Sequence, residues 1–134
     1  MADHHLKTHY SPLRTCRFSP YRQGMGPHFR LQMWATDRTD ERGQTVIAYD
    51  LRQYETGQTP IRLFSGEDFC GSPLHADDSD QAVASLMGFL TLRPGDTDAD
   101  YFAGYTDQQR EFCDQHAETL SAECDNRFRI KAKR

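Results

Sequence analysis

Four aspartates are spaced in the way that a calcium loop requires. Asp96, Asp98, Asp100 and Asp107 match the first, third, fifth and twelfth positions of an EF-hand loop, and they lie between two predicted helices. Calcium binds about seven hard oxygens, which alternate carboxylates around a turn can supply. Two departures are that Tyr101 stands where the turn needs glycine and that Asp107 is shorter than the usual glutamate. A calcium- or metal-binding module is therefore one hypothesis, and aspartates that only cap and solvate a loop are the other.

Cysteine and histidine suggest two further kinds of site. Cys70 precedes His75 in a predicted loop, and Cys113 lies one helical turn before His116. A cysteine activated by histidine can act as a nucleophile, so a small enzyme using Cys70 or His75 is a second hypothesis. The same side chains could bind zinc, but their spacing matches no zinc finger, and Cys113 falls on an apolar helix stripe. We therefore predict core cysteines, no catalytic residue and no cofactor.

Charge is distributed very unevenly along the chain. Residues 67–126 contain fourteen Asp and Glu but only two fixed cations, Arg93 and Arg110, which gives this stretch a formal charge of −12. The whole chain carries −4, so the remainder carries +8. Dense like charge destabilises a compact state, and this excess is larger than solubility requires. It therefore predicts a basic partner.

Three strands are predicted before the acidic stretch. Residues 29–36 and 45–53 alternate between apolar and polar side chains with the period of two that is typical of half-buried strands. A third short strand is predicted for residues 60–64, followed by a loop over residues 65–76. Consecutive strands joined by short turns form an antiparallel meander.

The first predicted helix covers about residues 79–92. Its apolar stripe contains Val83, Leu86, Met87 and Leu90, and Phe89 is expected to widen it. Gly88 costs the helix about 1 kcal/mol relative to alanine, so its presence suggests a close approach between this helix and the sheet.

A second helix is predicted for residues 106–128. Thr106 and Gln109 have the spacing of a capping box at its start. The basic sequence of residues 127–134 is predicted to be either a frayed end or a short added strand with a cationic face.

The predicted fold class is α+β: a three-stranded antiparallel meander covered by two helices, with an irregular N-terminal arm and a basic C-terminal tail. The arm covers residues 1–27, where proline and glycine recur too often for a regular element, and a single α+β domain covers residues 28–134. If Met1 is removed, Ala2, Asp3 and His4 could chelate copper(II), which we interpret as incidental. No long apolar run or secretory signal occurs, so we expect a cytoplasmic protein with no membrane partner.

A small acidic α+β chain with a meander, two helices and no catalytic motif is similar to accessory proteins of phages and plasmids, including anti-CRISPR and anti-restriction inhibitors. The segment LMGFLTLRPGDTDADYFAGYTDQQ looks like part of small proteins of this type. The resemblance covers about residues 64–126. It implies a non-enzymatic inhibitor that binds a nucleic-acid-handling complex, and it transfers no functional residue.

The acidic stretch also suggests how such an inhibitor would bind. Carboxylates presented along a helix can take the place of backbone phosphates in a basic groove. The expected partner is therefore a basic protein surface, such as that of a nucleic-acid-binding protein. The sequence pI of about 5.8 argues against direct nucleic-acid binding except through the basic tail, and the positive remainder could form a homodimer contact. The predicted contact residues are Asp96, Asp98, Asp100, Asp107, Glu111, Asp114 and Glu118.

Overall fold

The computed structural model describes residues 12–71 and 76–133, with side chains described for residues 12–67 and 80–128. The chain divides into two compact units, Met1–Ser79 and Asp80–Arg134. Each unit is described by itself below. In the described residues the fold class is α+β, with one antiparallel sheet followed by three α-helices.

The sheet has four strands, so the predicted count of three was wrong. The strands follow one another in the order β1-β2-β3-β4, and each pairs antiparallel with the next. The meander was predicted correctly, but its first strand lies inside the segment predicted to be an irregular arm. The strands are β1 (Arg14–Phe18), β2 (His28–Thr39), β3 (Thr45–Tyr54) and β4 (Ile61–Gly71).

Strand β1 is a short alternating sequence that is stabilised by pairing with β2. Cys16 and Phe18 are buried, Arg17 between them is exposed, and Phe18 lies directly opposite Phe29 of β2. Five residues with two apolar side chains carry little periodic signal. The strand therefore depends on its pairing with β2.

Strand β4 is longer than predicted and includes residues 65–71, which were expected to form a loop. Two register shifts occur between β3 and β4, and Gly66 lies where a side chain would not fit. A Cβ atom at Gly66 would come within 2.8 Å of the Tyr49 hydroxyl oxygen. Glycine in a strand often marks such a close approach.

One face of the sheet carries the apolar side chains of the predicted alternation. Phe29, Leu31 and Met33 of β2 are buried, as are Ile47 and Leu51 of β3. The alternation therefore predicted correctly which face of β2 and β3 is buried. The intervening residues of these strands lie on the opposite face, here called the outer face.

The second predicted helix is in fact two helices. A helix break occurs at His116, whose φ of −128° and ψ of −21° depart from helical values. The final helix continues to Lys133, so the basic tail is not an added strand. The helical elements are α1 (Ala76–Leu90), a 3₁₀-helix (Ala99–Phe102), α2 (Asp107–Gln115) and α3 (Ala117–Lys133).

Helix α1 buries the predicted stripe but not all of the residues assigned to it. Val83, Leu86 and Met87 are buried, whereas Phe89 is 59% exposed. Phe89 lies about 100° around the helix from Leu90, which turns it away from the stripe. A Cβ atom at Gly88 would meet no described atom within 4 Å, and the approach of this helix to the sheet stays a prediction.

Candidate functional site

The seven carboxylates predicted to contact a partner are all exposed. Three of them lie in the segment between α1 and α2, three lie on α2, and the last lies in the first turn of α3. We call this set the acidic surface. Its members are Asp96, Asp98, Asp100, Asp107, Glu111, Asp114 and Glu118.

A tight turn positions the first of these carboxylates. The backbone N–H of Asp96 donates to the Arg93 carbonyl at 2.9 Å, and the backbone N–H of Arg93 donates to Asp96 Oδ2 at 3.0 Å. Gly95 between them has a φ of +102°, a conformation that glycine adopts without steric cost. Asp96 is therefore partly used to hold its own loop.

Arg93 brings two ends of the acidic surface together. Its guanidinium lies 3.5 Å from Asp96 Oδ2 and 3.2 Å from Glu118 Oε1, measured from Nε and one terminal nitrogen respectively. The Glu118 side chain is nevertheless 82% exposed. Exposed ion pairs of this kind contribute about 0–1 kcal/mol, so Arg93 orients these carboxylates without burying them.

Three carboxylates share one face of α2. Asp107, Glu111 and Asp114 follow one another at intervals of four and three residues, which places them along one side of a helix. The predicted capping box at the start of this helix is confirmed. The N–H of Gln109 donates to Thr106 Oγ1 at 3.1 Å, and the N–H of Thr106 donates to Gln109 Oε1 at 2.8 Å.

Arg110, the other arginine of the acidic stretch, is held by backbone carbonyls. Its guanidinium donates to the carbonyl oxygens of Phe102, Ala103 and Tyr105 at 3.1, 3.4 and 3.2 Å. These bonds fix α2 against the preceding 3₁₀-helix. Arg110 thus serves the local fold, and most of the negative charge of the surface remains open to solvent.

An exposed aromatic residue lies within the acidic surface and was not among the predicted contact residues. Tyr101 is 43% exposed, and its ring meets Phe102 edge to face with the ring centroids 5.2 Å apart. Asp98 and Asp100 precede it in the chain. The signal in the sequence is an aromatic residue that directly follows two alternate aspartates.

The structure does not bring the four aspartates of the calcium pattern together. The 3₁₀-helix Ala99–Phe102 occupies the middle of the proposed loop, and Asp107 begins α2. Among the side chains of residues 12–67 and 80–128, no three His, Cys, Asp or Glu are grouped so that they could hold a metal ion. The copper site proposed for Ala2, Asp3 and His4 lies outside the described residues.

The structure bears on only part of the cysteine–histidine hypotheses. Cys70 lies in β4 opposite Val46, its side chain is not described, and His75 lies outside the described residues. Cys113 and Cys124 are buried, as the helix stripe predicted. Burial raises the pKa of the Cys113 thiol, and the Asp114 carboxylate adds to this shift. A thiol held in its protonated form is a poor nucleophile and a poor metal ligand.

No protein-family model and no curated protein matches the sequence, and no solved structure matches the fold. Among the helices that the structure describes, none is long and apolar enough to cross a membrane. Function must therefore be inferred from the charge and the geometry of the surfaces themselves.

Proposed function

We propose that the protein is a non-enzymatic inhibitor or regulator that acts in the cytoplasm on a nucleic-acid-handling complex, of the anti-CRISPR or anti-restriction type. It binds a basic surface of that complex through the acidic surface, which imitates nucleic acid. The observation that carries this proposal is the exposure of all seven carboxylates while the two nearby arginines are used within the unit.

The spacing of the carboxylates on α2 supports mimicry. Asp107, Glu111 and Asp114 are separated by about 6 and about 4.5 Å along the helix axis. Successive charges along one nucleic-acid strand follow on a similar scale of about 3.4 Å. A groove that binds phosphates can therefore accept this row of carboxylates on flexible side chains.

Tyr101 supplies what a purely acidic surface lacks. Interface hot spots are enriched in tyrosine, tryptophan and arginine, and charged residues around them contribute more to encounter rate than to residence time. Tyr101 is half exposed next to Asp100. It therefore serves as the anchor that the surrounding carboxylates steer towards the partner.

The test is affinity capture with two baits, the wild-type protein and a variant with reversed charges on α2. The partner identified in this way is then used in a competition assay. We expect the wild-type protein to displace DNA or RNA from the purified partner. Reversing the charges on α2 should weaken this displacement by about a hundredfold, because each close charge pair across an interface can contribute more than about 1 kcal/mol. The variant carries Asp107→Lys, Glu111→Lys and Asp114→Lys.

The matched control changes the same amount of charge elsewhere. Asp37→Lys, Glu41→Lys and Glu55→Lys alter three exposed residues of the other unit, and they should leave displacement within about twofold if steering is local. Circular dichroism checks that both variants are folded. Equal loss in the two variants, or a partner that binds the α2 variant unchanged, would contradict the proposal.

A further inference from the structure

Four arginines form a row across the outer face of the sheet. Arg17 of β1 lies directly opposite Arg30 of β2, Arg30 lies opposite Arg52 of β3, and Arg52 lies opposite Arg62 of β4. Neighbouring strands are about 4.8 Å apart, so the row is roughly 14 Å long. Like charges directly opposite one another destabilise a sheet. An anion beside the row would offset this repulsion, and the sheet itself supplies only part of the negative charge needed.

Asp50 is the carboxylate that lies nearest to the row within the described residues. Its side chain is only 7% exposed, and its Oδ2 atom lies 3.4 Å from Arg52 Nε and 3.9 Å from Arg62 Nε. This carboxylate pairs with two of the four arginines of the row. The row therefore keeps a net positive charge after this internal pairing.

Three buried polar atoms on the outer face have no hydrogen-bond partner among the described residues. They are the Nε donors of Arg30 and Arg52 and the Oδ1 acceptor of Asp50. The 3.4 Å contact between Arg52 Nε and Asp50 Oδ2 is an ion pair without hydrogen-bond geometry. Buried polar atoms are nearly always hydrogen-bonded, so each one needs an explanation. A ligand that satisfies all three must present both acceptors and donors.

Two of these atoms, those of Asp50 and Arg52, belong to residues that line a hollow on this face. The hollow has a volume of about 410 Å³, and Asp50 and Arg52 line it together with Gln32 and Trp34. Further along the same face, Tyr54 stacks on His28 with the ring centroids 5.2 Å apart, and the Arg30 guanidinium lies 5.5 Å from the Tyr54 ring centroid. The face thus combines cations, a buried acceptor and flat rings.

Simple anions match only part of this chemistry. A phosphate ion would bind the arginines but has no flat ring to stack beside Trp34. An acidic peptide could donate to Asp50 through its backbone N–H groups, but its acidic side chains carry no ring either. A nucleotide offers a charged phosphate, a flat base that stacks on aromatic or guanidinium planes, and N–H donors on the base edge. A carboxylate accepts the N4 amino group of cytosine.

We propose that the outer face of the sheet binds single-stranded nucleic acid, whose phosphates follow the arginine row and one of whose bases enters the hollow beside Trp34 and donates to Asp50. Base stacking on a four-stranded antiparallel sheet is a known way of binding single strands. The expectation against direct nucleic-acid binding considered the net charge of the chain, whereas this face concentrates positive charge locally. This site is separate from the acidic surface.

The test is fluorescence anisotropy of labelled oligonucleotides with the full-length protein. We expect oligo(dC) to bind more tightly than oligo(dT), single strands to bind more tightly than a duplex, and polyglutamate of equal charge to compete poorly. Parallel titrations with RNA determine whether the sugar matters. No binding at low salt, or equal competition by polyglutamate, would overturn the proposal, because the latter would indicate a surface for carboxylates, including the acidic surface of a second copy.

Two variants locate the site on the sheet. Arg62 is exposed, so Arg62→Gln should fold normally. It should weaken binding about tenfold and reduce the slope of log affinity against log salt by about 0.7, the value for one lost phosphate contact on a single strand. The matched control is Arg42→Gln in the exposed β2–β3 turn, which should change the affinity by less than about twofold. Equal effects of the two changes would show that the row is not the site.

Asp50→Asn tests the base contact, because it should change the affinities for oligo(dT) and oligo(dC) differently. Removing a negative charge should raise the affinity for oligo(dT), because repulsion of the phosphates falls. The preference for oligo(dC) should shrink, because the neutral amide oxygen of asparagine accepts from the cytosine amino group less strongly than a carboxylate does. A variant that keeps the full oligo(dC) preference contradicts the proposed contact.

Discussion

The acidic surface and the arginine row present opposite charge and are built in different ways. The carboxylates on α2 come from residues close together in the sequence, and a helix places them on one face whatever surrounds it. The arginines are up to 45 positions apart in the chain, and they meet only through the register of four strands. A charge pattern within one helix is therefore visible in the sequence, whereas one across a sheet requires the pairing to be known.

The two surfaces also differ in how their charge is compensated. Beside the arginine row lies a buried carboxylate, Asp50, which pairs with Arg52 and Arg62. In the acidic surface, ion pairs join Arg93 to Asp96 and Glu118 at the edge of the set, and all of the carboxylates remain exposed. The row should thus depend on its counter-charge for stability, whereas the acidic surface should not. The following substitutions test this difference, beginning with the largest expected effect.

Removing the carboxylate within the arginine row should destabilise the protein measurably. Asp50→Ala leaves Arg52 and Arg62 without their carboxylate, and we expect a loss of about 1–3 kcal/mol in the free energy of unfolding. Urea denaturation followed by circular dichroism measures this loss. Added sulfate should restore part of the stability more effectively than chloride, because the row can then bind an external anion.

A second pair in the same sheet provides the control. Glu67 pairs with Arg38, and both side chains are about half exposed. Glu67→Ala should therefore cost less than about 1 kcal/mol. Equal losses at Asp50 and Glu67 would show that burial of Asp50 does not distinguish the row from an ordinary surface ion pair.

Glycine-to-alanine substitutions should have opposite effects on stability in helix α1 and in the β3–β4 turn. Gly88 is exposed within α1, and a Cβ atom added there would meet no described atom within 4 Å, so Gly88→Ala should stabilise the protein by about 0.5–1 kcal/mol. Gly57 lies in the β3–β4 turn with a φ of +79°, so Gly57→Ala should destabilise it by about 1–2 kcal/mol. Thermal unfolding should move in opposite directions for the two variants, and a shift in the same direction would contradict this account.

Local chemistry accounts for the parts of the fold that could be predicted from the sequence. Thr106 and Gln109 form the expected capping box because both partners lie within one turn, and the alternation around Leu31 identifies the buried face of β2. The helix break at His116 could not be predicted, because the apolar stripe continues through it from Cys113 to Leu120. The stripe records which side is buried and contains no signal for a change of backbone direction.

The arginine row shows a different limit of sequence-based prediction. Alternation placed Arg30 on the polar side of its strand, but β1 was not predicted, and two register shifts lie between β3 and β4. A register that is wrong by one residue moves every side chain to the other face. The alignment of Arg52 with Arg62 could therefore be obtained only from the folded structure.

The smallest predicted effect separates function from stability in the acidic surface. Asp107 and Glu111 are like charges four residues apart on α2, an arrangement that costs a helix about 0.2–0.5 kcal/mol. Glu111→Gln should therefore raise the free energy of unfolding by about this amount, and the increase should shrink as salt is added.

The control is Glu123→Gln, because Glu123 pairs with Arg127 at 3.0 Å, and its loss should cost about 0.3–0.5 kcal/mol. If the carboxylates on α2 serve a partner and not the fold, the two substitutions should change the free energy of unfolding in opposite directions. Urea denaturation at low salt measures both changes. A loss of stability in Glu111→Gln would instead assign this carboxylate a structural role.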